Sequence, residues 1–106
     1  MNKPAMTNLS KKINAIKKRG LLLINSSFLS NKKEVKKEFL LLIKNWITRI
    51  RFMIDKGKYS AGDLSRIMLD DLEIFANHIF ADNSIHFESE MNTVIEKEIG
   101  IANGTT

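Results

Sequence analysis

The chain has 106 residues, no cysteine, and a formal net charge of +5. That length supports one domain with a shared apolar interior and leaves no room for a second. The missing cysteines exclude disulfides and thiolate metal sites and suit a reducing compartment.

Residues 1–6 include the sole proline, Pro4, and are expected to be loose. From Thr7 or Asn8, either of which can cap a helix, Leu9, Ile13, Ile16, Gly20 and Leu23 recur at helical spacing. Lys11, Lys12, Lys17, Lys18 and Arg19 occupy the other faces, so the first predicted helix is strongly basic. Gly20 in its interior costs about 1 kcal/mol relative to alanine, which leaves a close helix crossing or a weak point as explanations. Asn25-Ser26-Ser27 ends the pattern.

The longest helical pattern runs from Asn31 to Lys56. Val35, Phe39, Leu42, Trp46, Ile50 and Met53 fall three or four residues apart and stack along one face. Leu40, Leu41, Ile43, Ile47, Phe52 and Ile54 widen that stripe, which predicts a central helix covered by neighbours on more than one side. Asn31 followed by Glu34 resembles a capping box, and Gly57 is placed to end the helix.

Ser60 with Asp63 forms a second capping pattern. Leu64, Ile67, Met68, Leu72, Phe75 and Ile79 then supply the stripe of a third helix reaching Phe80 or Ala81. Residues 81–84 read as a turn, and Ile85-His86-Phe87 as a short extended piece. A fourth helix is predicted from Ser89 to Ile99, with Met91, Val94, Ile95 and Ile99 inward and Gly100 closing it. The expected fold is all-α, an antiparallel four-helix bundle spanning residues 1–106 as a single domain, with residues 101–106 flexible like residues 1–6.

Little in the chain points to catalysis. Asp70, Asp71 and Glu73 could suggest acid–base work or a hard-cation site, but adjacent helical residues face apart, and acidic outer faces are ordinary for bundles. His78 and His86 have no companion at ligand spacing, so packing or surface roles are expected for both, with no metal and no cofactor. No nucleophile elbow, phosphate-cradling loop or nucleotide fingerprint occurs, and the expectation is a protein that is not an enzyme.

The charge is unevenly divided. Residues 1–51 carry 13 Lys and Arg against Glu34 and Glu38, a net of +11, while residues 52–106 carry 4 against 10 acids, a net of −6. This suggests an anionic partner for the first half, or basic helices lying against acidic ones within the fold. One candidate partner is nucleic acid, met by Lys32, Lys33, Lys36, Lys37 and Lys44 together with the basic first helix. That face lacks interleaved aromatics, and a helix-turn-helix drawn over Lys58 to Phe80 would offer phosphate an acidic recognition helix. A small nucleic-acid-binding regulator therefore ranks as the alternative. The other candidate is loose contact with the inner leaflet of a membrane through Lys11, Lys12, Lys17, Lys18, Arg19, Lys32, Lys33, Lys36 and Lys37. No apolar run approaches the ~20 residues of a membrane span. Residues 1–20 are polar where a signal peptide would be apolar, so a cytoplasmic protein, peripheral at the inner face of the membrane, is expected.

Residues 57–104 carry Lys58-Tyr59, then Leu64, Leu72 and Ala76, then Ile85 and Phe87 at the turn, and finally Ile95, Ile99-Gly100 and Asn103-Gly104. In these positions the stretch resembles the C-terminal half of the pediocin-like (class IIa) bacteriocin immunity proteins, the enterocin A immunity family. Glu88 stands where the family usually has a capping Ser or Thr, which makes Ser89 the substitute cap. The resemblance implies a cytosolic four-helix bundle without catalytic activity, protecting a producer cell by recognising the bacteriocin-engaged mannose phosphotransferase permease. It also implies that specificity lies in the second half: Asn83, Ser84, Ile85, His86, Phe87, Glu90, and the tail Ile101, Ala102, Asn103 and Gly104. For Ile85 and Phe87, plugging the end of the core is an equally good role.

Overall fold

A computed structural model describes residues 2–80 and 84–100, with side chains from Asn8 onward. Four helices follow in order: α1 (Asn2–Asn25), α2 (Lys32–Asp55), α3 (Ala61–Phe75), which runs into a π-helical turn (Ala76–Phe80), and α4 (Ser84–Glu98). No strand occurs among the described residues. Cross-helix contacts recede along each pair. Asn25 meets Lys32 while Gly20 meets Phe39, and Trp46 meets Asp71 while Phe39 meets Phe75, so α1, α2 and α3 alternate in direction as their short connections require. The all-α bundle expected from the sequence is the architecture observed.

α1 begins at Asn2, about five residues before the expected cap. Pro4 is no obstacle, because it stands in the first turn, where backbone N–H groups have no helical acceptor to lose. The capping box expected at Asn31 is absent: its ψ of 40° lies outside the extended region that aims a cap side chain at the helix, and it makes no side-chain cap bond. Ser60 behaves as expected, with extended backbone and its hydroxyl accepting from the Asp63 N–H at 3.3 Å. Gly57 has a φ of +67°, the Lys58 N–H reaches the Met53 carbonyl at 2.9 Å, and the Gly57 N–H reaches Ile54 at 3.0 Å. These two bonds form the Schellman motif, which closes α2 and needs a residue free to adopt positive φ.

The core is one cluster drawn from all four helices. It holds Leu9, Ile13, Ile16 and Ile24 from α1, and Val35, Phe39, Ile43, Trp46 and Ile50 from α2; the second half adds Leu64, Met68, Leu72 and Phe75, then Phe87, Met91 and Ile95. Four phenylalanines meet at its centre. Phe39 lies 5.7 Å from Phe75 and 6.1 Å from Phe87, and Phe80 stacks on Phe87 at 4.2 Å. Gly20 is a close crossing: a Cβ there would run into the Phe39 ring. Of the two explanations open at the sequence level, the crossing is the one the packing supports.

The second half differs from the sequence expectation at two places. Ile79 was predicted for the core stripe, yet it is only half-buried, while Phe80, one residue on, is 1% exposed. The π turn explains the exchange, since its wider i→i+5 bonding shifts which residue points inward. Ile85-His86-Phe87 is not extended but lies in the first turn of α4, which starts at Ser84 and not at Ser89. Phe87, Met91, Ile95 and Ile99 are spaced four apart and all buried, so the stripe recruits that segment into the helix. At the far end of α4 the buried Ser65 hydroxyl donates to the Gly100 carbonyl at 2.6 Å and ties the helix to α3.

Candidate functional site

Three surfaces remain once the core is assigned. The first is the start of α4. Ile85 is 82% exposed and His86 is exposed beside it, whereas Phe87 is fully buried among the other phenylalanines. The two roles considered for these residues therefore separate: Phe87 plugs the core, and Ile85 stands open. Ser84 and Glu90 are half-buried. Glu90 shares a face with His86, four residues earlier, and its Oε1 accepts from the Arg19 Nη2 of α1 at 2.6 Å. That guanidinium holds the Glu90 carboxyl below its ordinary range, with a smaller contribution from His86. Asn83 and the tail residues Ile101, Ala102, Asn103 and Gly104 lie outside the described residues.

The second surface is the basic face of the α1–α2 hairpin. Lys11 and Lys18, seven apart, share the outward row of α1; Lys12 and Arg19, also seven apart, share the edge that meets α4. Lys17 is half-buried. On α2, Lys33, Lys37 and Lys44 form an exposed outward row. Lys32 and Lys36 are half-buried at the edge toward α1, where Lys32 Nζ donates to the Asn25 carbonyl at 3.0 Å. Arg19 with Glu90 is thus one point at which the basic half lies against the acidic half, while the lysine rows face outward.

Comparisons with protein-family models, curated proteins and solved structures found no match to this chain.

The third surface was not expected. Between α2 and the α3–π segment runs an open groove of about 800 Å³, lined by apolar Leu41, Leu42, Phe52, Ile74, Phe75 and Ile79 and edged by Glu38, Arg49 and Asp71. Leu41, Phe52 and Ile74 are 48%, 61% and 60% exposed. The surplus of apolar residues on α2 was the available signal, but it pointed to coverage by neighbours on several sides. α1 covers one flank closely and α3 leaves the other open, so Leu41 and Phe52 stay at the surface. Asp71 has a structural task at the groove edge, accepting from the Trp46 indole N–H at 3.0 Å. Asp70 and Glu73 are exposed on their helix, and the exposed His78 places Nδ1 3.1 Å from the Ile74 carbonyl oxygen.

Proposed function

We propose that this protein is a bacteriocin immunity protein of the pediocin-like type, protecting its producer from a class IIa bacteriocin. It would act without catalysis from the cytosol, on the mannose phosphotransferase permease already engaged by the bacteriocin. The observation that carries this reading is the resemblance of residues 57–104, supported by the open chemistry at the start of α4. There Ile85 offers an apolar contact and His86 a polar one, on a helix braced by Phe87 below and by Arg19 at Glu90. An exposed isoleucine beside polar neighbours on a rigid element suits recognition of a protein surface. No helix among the described residues is long and apolar enough to cross a membrane, so such a protein would meet its membrane target from outside the bilayer.

The test is protection. A Gram-positive strain sensitive to class IIa bacteriocins, expressing this chain, should survive challenge by at least one member of a bacteriocin panel. Ile85→Ser and His86→Ala should reduce that survival while the protein remains folded. No protection against any member would refute the assignment.

A further inference from the structure

The tip of the α1–α2 hairpin carries a combination that the bundle itself does not use. Phe28 is 98% exposed, the most open large apolar side chain among the described residues, and Leu22 on the last turn of α1 is 54% exposed. A ring left in water adds nothing to the fold, because its stabilising effect comes from burial. The sequence around it supplies positive charge alone, the first acid of the chain being Glu34. Lys11 and Lys18 share a row with Leu22, and Lys33, Lys37 and Lys44 extend the basic face along α2. Glu38 sits about 100° around α2 from Lys37, and Glu34, three residues before Lys37, borders the row of Lys33 and Lys37. Glu38 lines the groove beside α3 and Glu34 offsets at most one charge, so the row of Lys33, Lys37 and Lys44 stays net positive.

We propose that this hairpin docks on an anionic lipid surface, with Phe28 entering the headgroup boundary and the lysine rows lying over the headgroups. Charge complementarity sets the sign of the partner. The apolar tip sets its kind: hydrocarbon accepts both Phe28 and Leu22, whereas a nucleobase would stack on the ring and leave the leucine in water. The attachment is weak and salt-sensitive, each lysine near the surface contributing about fivefold in affinity over roughly a Debye length. It is independent of the immunity reading, since it concerns the hairpin and is measured on lipid alone.

Co-sedimentation of the purified protein with vesicles tests it. The protein should bind vesicles containing phosphatidylglycerol at low salt, leave them at high salt, and ignore pure phosphatidylcholine. Phe28→Ala should weaken binding about tenfold without lowering the melting temperature, because the ring is exposed. Lys33→Gln with Lys37→Gln should weaken it about 25-fold, at about fivefold for each charge, and Lys97→Gln on α4 should change nothing. Failure to bind any vesicle, equal binding to neutral vesicles, or binding indifferent to Phe28→Ala would each overturn the proposal. Tighter, Phe28-independent binding to a duplex oligonucleotide would overturn it too and give the face to nucleic acid.

Discussion

Replacing Gly20 with alanine puts two opposed effects into one methyl group. In a solvent-facing helix the change would stabilise by about 1 kcal/mol, through propensity alone. Here the new Cβ would lie 2.5 Å from Cε2 and 2.9 Å from Cε1 of Phe39, and closer still to Cζ. Ordinary carbon contacts are ~3.5–4.0 Å. The ring has no free direction to move, being fully buried and held between Phe75 at 5.7 Å and Phe87 at 6.1 Å. Either α1 and α2 separate by about 1 Å or the ring leaves its rotamer, and overpacking of this kind costs about 1–3 kcal/mol. With three ring atoms met at once the upper end applies, and subtracting the propensity gain leaves a loss of about 2 kcal/mol. For a domain of this length that lowers the melting temperature by about 8–16 °C, measurable by circular dichroism. The same substitution in a Phe39→Leu background should cost less, with a coupling of about 1 kcal/mol or more. A melting temperature that rises on Gly20→Ala would refute the close-crossing account.

Asp71→Ala should destabilise by about 1–3 kcal/mol in urea unfolding, because it strands the buried Trp46 indole N–H. Asp71→Asn, which keeps an acceptor, should cost much less, and in a Trp46→Phe background Asp71→Ala should be nearly neutral. Glu90 makes a prediction in pH. Arg19 depresses its folded-state pKa, so the pair contributes stability above the ordinary glutamate value of 4.5 and loses it as pH falls through the lower folded value. Wild type and Glu90→Gln should therefore differ in stability at neutral pH and converge in acid. Parallel curves down to the acid limit would remove the ion pair from the account.

Much of this fold can be read from spacing, because the stripes of Leu9-Ile13-Ile16, Val35-Phe39-Trp46 and Leu64-Met68-Leu72 are period-3.6 signals that need no tertiary information. The errors fall where local pattern and long-range packing part ways. Ile85-His86-Phe87 alternates like a strand, and only the four-residue interval from Phe87 to Met91 assigns it to α4. The Arg19–Glu90 pair joins residues 71 apart and has no local signature. For the same reason Gly20 could be noticed but not explained, since the ring that requires it lies on another helix. Of the surfaces, the basic rows are legible as composition. The groove is not, because apolar residues on a helix carry no mark of which neighbour fails to cover them. Nor does the sequence distinguish Phe28, in its loop, from the four phenylalanines of the core.

The π turn has a rotational consequence. Phe75 and Phe80 are five residues apart, an interval that an α-helix would spread by about 140°. In this chain both rings reach Phe87, one at 5.7 Å and the other at 4.2 Å. Ala76–Phe80 therefore works as a phase slip, resetting the helix by part of a turn so that a second aromatic arrives where the first already stands. Ordinary α-helical winding of the same five residues would swing Phe80 away from α4 with the composition of the core unchanged, whereas deleting one residue would leave the two rings only about 40° apart. The winding of that segment, more than the identity of its residues, determines how the third helix meets the fourth.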